Sequence, residues 1–487
     1  MSFYIYDITF LVIFTALVIH FLYKRRTKLE KEGIMYLYRT QVGVKFIDYV
    51  GTKYKKTIKF LGFLGVISGY FLMVAMMYFL GRLIYIYLFV PDIVRAIKIP
   101  PLMPLVPYLP EVFKIDFLPS FYFTYWIIAI AVIAVFHEFA HGIVARAYGI
   151  KVRTTGFGFL GPFLAAFVEP DEKQMESKSR YQQIAVLSAG TFTNLILAIL
   201  FFLLLALFFI VTFVPAGAMF NVYASQPVEI NSITNIGGTP IADPTTGNII
   251  DIIDKNNLSN NLILGSNGNT LELTKITANN KSYYMEMEIL KNQLIQDTDY
   301  VFLYLDTSAI KTGLKGAIIE IDNKKINTHD DLSRVLEQYN PGDTVQIKTR
   351  VKKEIFNYEI ELIEHPEDST KPMIGIGYNL QKGGMTTTIT EFFNFFREPA
   401  TDYQPRFNVD LVEFIYDLIW WLALINLSVA LVNMWPVAIF DGGRMFMLTI
   451  WAITGSEKFG ELAFKTMTYL ILGSLLLLMF GWVIAIF

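Results

Sequence analysis

The chain has 487 residues, and 54% of them are hydrophobic, including 41 Phe and 27 Tyr. This content exceeds that of an ordinary soluble domain, so we expect several membrane spans and more than one domain. The formal net charge of −2 argues against a basic face for nucleic acid. The absence of Cys excludes disulfides and thiolate ligands, so only His and carboxylates remain to hold a metal ion.

The first apolar segment, Ile5 to Tyr23, is followed at once by a long basic stretch. Lys and Arg recur from Lys24 to Lys59, so the positive-inside rule places this stretch in the cytosol and the N-terminus outside. No basic residue precedes the apolar segment and no small-residue cleavage site follows it, so we interpret it as a retained span rather than a signal peptide. A second apolar run, Phe60 to Val90, precedes a proline-rich segment, 91–120, which we expect to be an external loop.

The third apolar run, Phe121 to Ala147, contains the pattern His-Glu-x-x-His. On a helix, His137 and His141 stand one turn apart on the same face, and Glu138 lies about 100° further round. Both imidazoles can therefore reach one metal ion, while the carboxylate can reach a water bound to it. The alternative, a pair of packed histidines, is less favoured because ionisable side chains inside an apolar span are costly. At about 1.5 Å per residue, the site lies inside the membrane, nearer the cytosol.

Thr154 to Pro170 is too short and too rich in glycine for a span, and its pattern predicts a β-hairpin or re-entrant loop. Such backbone is tolerated at membrane depth only where it is buried in protein or lines a cavity. An exposed strand edge there could pair with an extended peptide by strand addition, which makes Phe157, Gly158 and Gly161 candidates for a substrate-binding strand. A simple structural loop is equally compatible with the pattern.

The fourth span, Ile184 to Val214, leads outward and contains small residues near its start that permit close helix packing. We interpret Gly190 as one of these packing positions. Asn194 can either form a hydrogen bond to a neighbouring helix or contact the backbone of a substrate. Both interpretations of Asn194 remain open at this stage.

From Pro215 to about Asp410 the composition changes to alternating polar and apolar residues, which predicts a soluble, mostly β region on the outer side. The order of strands and one helix expected over 302–380 resembles a PDZ domain of the protease-associated kind. The segment 225–300 includes Gly237-Gly238-Thr239-Pro240-Ile241, which is similar to a PDZ strand and turn. We interpret this segment as a second, degenerate copy.

Glu391 to Arg397 is amphipathic and rich in Phe. It either lies in the outer membrane interface, where it could cover a lateral entrance, or packs against the helix bundle. Three further apolar segments follow: Leu411 to Val432, a short one from Met445 to Ile453, and Phe464 to Phe487. The total is about seven spans, which places the C-terminus inside.

Two histidines leave a catalytic zinc ion one protein ligand short, with water in the fourth position. The inner end of the 411–432 span offers Asp441, a carboxylate beside a helix break at the predicted depth of His137. Pro436 and the glycines that follow Asp441 unwind the backbone, so that a short side chain can approach a metal ion. The alternative is that Asp441 caps the next helix.

The two motifs together, His-Glu-x-x-His in one span and Asn-x-x-Pro-x-x-x-x-Asp-Gly-Gly in a later one, resemble the site-2 protease family of intramembrane zinc metalloproteases. The resemblance extends over most of the chain beyond about residue 118, including the PDZ region, which fits prokaryotic members. The chain departs from the family pattern after Gly190. The family often has Gly-Pro-x-x-Asn there, whereas this chain has Thr191 in place of the proline and Asn194 at the last position. The resemblance implies one zinc ion per chain at His137, His141 and Asp441, with Glu138 as catalytic base and with Asn433 and Asn194 assisting substrate or intermediate binding.

The function implied is hydrolysis of peptide bonds within transmembrane segments of membrane-protein substrates, known as regulated intramembrane proteolysis. A zinc-bound water would attack the peptide bond, Glu138 would accept its proton, and the PDZ region would admit substrates with trimmed ectodomains. The implied partners are such substrates and the lipid bilayer of the cell membrane, with the PDZ region outside and the active site towards the cytosol. The substrate's identity and the oligomeric state do not follow from the sequence.

Three alternatives compete with this prediction. A membrane-anchored protease with a cytosolic site would need a downstream Glu as third ligand, yet residues 195–228 offer no carboxylate. A metal transporter would need ionisable residues in several spans, and the other spans carry few. A non-catalytic scaffold would be expected to have lost Glu138.

The expected fold is a polytopic α-helical membrane protein with a membrane-embedded β-loop and an extramembrane α+β region. We divide the chain into N-terminal spans and external loop (1–117), first catalytic membrane segment (118–214), extracytoplasmic PDZ-like region (215–390), interfacial amphipathic segment (391–410) and second catalytic membrane segment (411–487).

Overall fold

The computed structural model describes residues 3–33, 35–90, 100–101, 103–113, 115, 118–160, 163–255, 262–264, 271–296, 298–365, 368–378 and 395–486. The chain forms two compact units. The first unit contains residues 1–209 and 410–487, and the second contains residues 210–409. The region that the sequence predicts to be extramembrane is thus a unit of its own.

Six helices among the described residues are long and apolar enough to cross a membrane, as expected of a polytopic membrane protein. The α-helices of the described residues are α1 (Phe3–Arg25), α2 (Val44–Lys53), α3 (Lys55–Phe89), α4 (Leu109–Val112), α5 (Phe123–Ala147), α6 (Glu172–Glu176), α7 (Arg180–Thr212), α8 (Thr246–Lys255), α9 (Met287–Leu294), α10 (Ser308–Lys311), α11 (His329–Leu336), α12 (Val409–Asn433), α13 (Asp441–Thr454) and α14 (Glu457–Ile486). The six long apolar helices are α1, α3, α5, α7, α12 and α14.

The predicted short span at Met445 to Ile453 corresponds to α13, which has 14 residues. At about 1.5 Å per residue this helix is about 21 Å long, which is shorter than the hydrocarbon core of a bilayer at about 30 Å. The count of seven spans is therefore not confirmed. Helix α13 follows a helix break and begins at Asp441, which it places close to the end of α12.

Close packing between α3, α7 and α13 builds the interior of the first unit. Small residues make this packing possible, because a Cβ added at Gly65 would lie 3.2 Å from Oγ of Ser188, and one at Gly69 would lie 3.1 Å from the methyl group of Met445. Buried apolar side chains from α3, α7, α12, α13 and the break between the last two form one cluster around these contacts: Leu72, Met73, Ile184, Leu187, Ala430, Met434, Met445 and Leu448.

The glycine-rich segment forms a β-hairpin, as predicted, and this hairpin belongs to a larger sheet. Four antiparallel strands pair in the order β1 (Glu30–Glu32), β2 (Met35–Thr40), β3 (Val152–Leu160) and β4 (Phe163–Pro170). The first two strands come from the basic stretch after α1. Arg39 on β2 forms ion pairs with Glu30 on β1 and with Glu169 on β4, the latter at 3.2 Å, which ties the sheet together across its strands.

The sheet order corrects the predicted substrate-binding strand. Phe157 and Gly158 lie on β3, which is paired along both edges, with β2 on one side and β4 on the other. Gly161 lies outside the described residues. An inner strand cannot accept another strand, so any strand addition to this sheet on the hairpin side has to use β4.

The second unit contains two main sheets of antiparallel strands. In the first, the order is β7 (Ser225–Glu229), β13 (Tyr300–Leu305), β12 (Lys281–Met285), β11 (Leu271–Ala278), β8 (Ile233–Ile236) and β9 (Thr239–Pro240), with β10 (Leu262–Leu264) on β11. In the second, the order is β17 (Glu354–Glu361), β16 (Thr344–Val351), β14 (Ala317–Ile321), β5 (Phe213–Ala218) and β21 (Thr401–Pro405), with β15 (Lys324–Lys325) on β14. Two short pairs join β18 (Ile363–His365) to β19 (Asp368–Met373) and β6 (Val222–Tyr223) to β20 (Ile376–Gly377).

Each main sheet has its own apolar core, and the division of this unit into two PDZ-like copies stays a prediction. The first core includes Ile233, Ile276 and Leu303, and the second includes Ile318, Ile347 and Ile360. The predicted boundaries differ from the observed ones, because β13 belongs to the first sheet although the PDZ prediction begins at residue 302. The PDZ fold itself stays a prediction.

The predicted interfacial segment, 391–410, is only partly described. Glu391 to Asn394 lie outside the described residues, and residues 395–397 form a turn and bend. Residues 401–405 form β21 and pair with β5.

Candidate metal centre

The position of α5 is fixed at its N-terminal end by a carboxylate from another helix. Asp7 on α1 is 1% exposed and accepts hydrogen bonds from the backbone N–H groups of Phe123 and Thr124, both at 2.8 Å. It also accepts hydrogen bonds from the hydroxyls of Thr124 and Tyr108, both at 2.5 Å. The first N–H groups of a helix have no partner within it, so Asp7 supplies the N-terminal cap that α5 lacks in its own sequence.

Three side chains converge near the other end of α5. Nε2 of His137 and Nε2 of His141 are 3.1 Å apart, and Oδ2 of Asp441 lies 3.5 Å from the first and 3.4 Å from the second. Ligand atoms at the usual 2.0–2.2 Å from a tetrahedral zinc ion are about 3.4 Å apart, so the three atoms match the edges of one face of such a site. The group His137, His141 and Asp441 can therefore hold a metal ion.

The helix break after α12 places Asp441 at this site. Helix α12 ends at Asn433 and α13 begins at Asp441, and no side chain caps the N-terminus of α13, whose N-cap residue is Phe440. The alternative that Asp441 serves as a helix cap is therefore not supported. A Cβ at Gly442 would overlap the backbone of Met434, and one at Gly443 would overlap the carbonyl of Val437, so only glycine lets α13 fold back this closely.

Helix α7 contacts the far side of both imidazoles, although it contributes none of the three possible ligands. Nδ1 of His141 lies 2.7 Å from the carbonyl oxygen of Val186, and Nδ1 of His137 lies 3.0 Å from Nδ2 of Asn194. Asn194 is fully buried. The structure thus favours the interpretation in which Asn194 bonds across helices over the one in which it contacts a substrate.

Gly190 lies between these two contacts on α7 and faces the three side chains that can hold a metal ion, His137, His141 and Asp441. A Cβ added there would lie 2.6 Å from Nε2 of His137 and closer still to Nε2 of His141. Any side chain at this position would occupy the space between the possible ligands. Its role is therefore more specific than the general packing that the sequence suggests.

Glu138 lies beside the three-residue group without joining it. Its Oε2 accepts a hydrogen bond from the backbone N–H of Val168 on β4 at 3.1 Å, and its side chain is half-buried. Because Val168 donates to Glu138 rather than to β3, the unpaired edge of β4 faces this carboxylate. Glu138 thus lies next to the three side chains that can hold a metal ion.

Two cavities meet at the site. The larger, of about 650 Å³, has charged residues in its wall, among them Glu32, Arg39 and Arg444. The other, of about 590 Å³, is lined mainly by apolar side chains such as Trp126 and Ile133. Both are bounded by the same five residues: His137, Glu138, Ala165, Ala166 and Asn433.

The remaining predicted site residues divide between these walls. Asn433 is half-buried and lines both cavities. Gly158 lines the larger cavity, whereas Phe157 lines a separate apolar cavity of about 170 Å³. Asn194 lines neither of the two cavities that reach the metal group.

The long apolar helices and the site within them define a polytopic membrane protein with a group able to bind a metal ion. The model of peptidase family M50 matches residues 125–479, which is more than half of the chain. The chain therefore belongs to this family, the site-2 protease family, and the resemblance inferred from the two motifs is confirmed. Membership supports a membrane metalloprotease function in a lipid bilayer. No curated protein matches the chain.

The roles of Asp7 and Gly190 at the site are not among those predicted from the sequence. Asp7 carried a usable signal, because an acidic residue inside an apolar span is as costly as the histidines that marked α5. The contact of Gly190 with the imidazoles carried no such signal, because the small residues around it are equally typical of plain helix packing.

Proposed function

We propose that this protein is an intramembrane zinc metalloendopeptidase that hydrolyses peptide bonds within transmembrane segments of membrane-protein substrates. The observation that supports this most directly is the convergence of His137, His141 and Asp441 at mutual distances of 3.1–3.5 Å on apolar helices, with Glu138 beside them. A soluble metalloprotease would present such a group to water, whereas here one of the two adjoining cavities is apolar.

The proposed ligands are His137, His141 and Asp441, whose nitrogen and oxygen atoms are the kinds that zinc accepts. When bound, zinc would lower the pKa of a water molecule and polarise the carbonyl group of the peptide bond. Glu138 is the proposed general base. It takes a proton from the attacking water and later delivers a proton to the leaving amine, in keeping with its position in the wall of both cavities.

The substrate has to be extended where it is cut, because a peptide bond within a helix is enclosed by the helix's own hydrogen bonds and side chains. The unpaired edge of β4 is suited to hold such a segment by strand addition. Ala165 and Ala166 on this strand are small and line both cavities, so a peptide lying along them would place its backbone near Glu138. Asn433 also lines both cavities, and its proposed role is to donate a hydrogen bond to the carbonyl oxygen of the substrate or to the oxyanion that forms from it.

We further propose that residues 24–59 lie in the cytosol and that the second unit lies outside, where it selects substrates with trimmed ectodomains. The basic residues between Lys24 and Lys59 support this orientation. Protection of the second unit from protease added on the cytosolic side of sealed vesicles would test it. Cleavage of the second unit under those conditions would reverse the orientation.

The test of function is cleavage of a model transmembrane substrate in detergent by the wild type and by Glu138→Gln, with zinc content measured on both. We expect the variant to lose cleavage by at least about 1,000-fold while retaining about one zinc ion per chain, because the carboxylate acts on protons rather than holding the metal. The matched control is Glu176→Gln, an exposed glutamate on α6 that should leave both measurements unchanged. Unchanged cleavage in Glu138→Gln would refute the mechanism, and absence of zinc from the wild type would refute the cofactor.

A further inference from the structure

Three positions on one face of α7 contact the two imidazoles of the candidate metal centre. Val186, Gly190 and Asn194 are spaced four residues apart, so they lie one above another along the helix. Val186 offers its carbonyl oxygen to His141, Gly190 leaves room for both rings, and Asn194 extends its amide to His137. Helix α7 thus touches both rings through positions that no ligand motif includes.

The chemistry of a histidine ligand restricts what these contacts can be. An imidazole that binds a metal ion through Nε2 carries its proton on Nδ1, and that N–H needs an acceptor. The carbonyl oxygen of Val186 meets this requirement for His141. For His137, the group in the described part of the chain that lies within hydrogen-bond distance of Nδ1 is the side-chain amide of Asn194, whose oxygen can serve as the acceptor.

The Asn194 amide can present either its nitrogen or its oxygen to His137. With its nitrogen facing Nδ1 at 3.0 Å, its oxygen is buried and has no hydrogen-bond partner in the described part of the chain. That arrangement would also make Nδ1 an acceptor and leave the proton on Nε2, where a metal ion should bind. Rotating the side-chain amide of Asn194 by about 180° solves both problems. Oδ1 of Asn194 then accepts a hydrogen bond from Nδ1–H of His137, and Nε2 of His137 is free to bind a metal ion.

The alternative role for Asn194 is contact with the substrate. The residue is fully buried, and it lines neither of the two cavities that meet at the metal group. A substrate in either cavity would meet Asn433, Glu138 and β4 before it could reach Asn194. The geometry therefore favours a role that acts through His137.

We propose that Asn194 is a positioning residue that holds His137 in the tautomer and orientation required for metal binding, and that it does not bind substrate. This inference rests on the proposed zinc centre. Acceptors of this kind behind a metal-binding histidine commonly change metal affinity by about 10-fold to 100-fold when removed.

The experiment measures zinc affinity by chelator competition on the full-length protein in detergent, for Asn194→Leu, Asn194→Ala and Asn194→Asp. We expect the Leu and Ala variants to bind zinc about 10-fold to 100-fold more weakly, because Nδ1–H of His137 loses its acceptor. Asn194→Asp should retain affinity close to that of the wild type, because it keeps an acceptor oxygen at the same place. At saturating zinc, KM for a model transmembrane substrate should be unchanged in all three.

The matched control is Thr191→Val, which removes a buried hydroxyl from the same helix without changing its shape. It should leave zinc affinity unchanged. If Asn194→Leu fails to fold, the Ala and Asp variants give the same comparison. Wild-type affinity in the Ala variant, or an equal loss in Thr191→Val, would overturn the proposal, as would a raised KM without loss of zinc. Failure of the wild type to bind zinc would instead overturn the proposed function.

Discussion

The two units of this protein bury different kinds of polar side chain. In the described part of the second unit, the buried polar side chains are threonines: Thr212, Thr274, Thr307 and Thr349. The first unit also buries an aspartate, a histidine and three amides: Asp7, His137, Gln183, Asn194 and Asn426. Short hydroxyls can be satisfied by nearby backbone. Gln183 and Asn426 also bond to backbone carbonyls within seven residues, whereas Asp7, His137 and Asn194 bond to distant parts of the chain.

Three of these five side chains, Asp7, His137 and Asn194, lie on α5 or bond to it. Asp7 on α1 caps the N-terminal end of α5, and Asn194 on α7 contacts His137 of α5. Polar groups buried in apolar surroundings destabilise a fold unless they are paired. Because Asp7 and Asn194 both pair with groups of α5, we infer that they fix the position of this helix. The second unit has no comparable arrangement among its described residues, and its sheets are stabilised by the two apolar cores.

The largest effect that would test this comparison is expected from Gly190→Ala. The added methyl group would occupy the space between Nε2 of His137 and Nε2 of His141, so the two rings could no longer approach one ion together. We expect the variant to fold and insert but to lose stoichiometric zinc and at least about 100-fold of its cleavage rate. Zinc content and cleavage of a model transmembrane substrate measure both effects.

A control for this prediction is Gly81→Ala on α3, where an added Cβ has no heavy atom within 4 Å. Alanine also favours helix more than glycine does, so this variant should be at least as stable as the wild type. Normal zinc content in Gly190→Ala would mean that the two imidazoles can shift without weakening metal binding. It would contradict the prediction that the close approach of α7 to the site is required for zinc binding.

The parts of the site that follow from the sequence are those set by local geometry. Helical spacing puts His137 and His141 on one face, and the helix break at Pro436 and the glycines after Asp441 bring that carboxylate to the two histidines. The parts that do not follow depend on pairing between distant segments. Strand β2 joins β3 across more than one hundred residues, and this pairing is what makes β3 an inner strand and leaves β4 as the edge.

A smaller effect is expected from Asp7→Asn, which weakens the cap on α5 without changing its shape. Hydrogen bonds to a charged acceptor are stronger than those to a neutral one, so we expect a loss of about 2 kcal/mol in stability. Thermal unfolding in detergent should show a lowered midpoint, and hydrogen exchange should increase at the first turn of α5. Glu457→Gln, at an exposed first turn of α14, is the control and should change neither. An unchanged midpoint in Asp7→Asn would show that the cap is not needed.

The smallest effect is expected in the second unit, at the N-terminus of α11. Thr328 accepts a hydrogen bond from the N–H of Asp331, and Asp331 accepts one from the N–H of Thr328, which forms a capping box. Thr328→Ala should reduce stability by about 1 kcal/mol, with increased hydrogen exchange confined to α11 and zinc content unchanged. Thr370→Ala, in an exposed strand, is the control for a lost surface hydroxyl.

The same capping box gives the second unit a pH dependence of defined sign. The hydrogen bond from the backbone N–H of Asn327, with others from Asn327 and Thr328, holds the pKa of Asp331 below its usual value. Because the pKa of Asp331 is lower in the folded state, its charged form stabilises the fold at a pH above the unfolded pKa of about 3.9. This contribution is lost as the pH falls through the pKa of the folded state. Hydrogen exchange in α11 should therefore increase, relative to the rest of the second unit, as the pH is lowered below about 4. In Asp331→Asn this relative increase should disappear, and its persistence would assign the pH dependence to a different group.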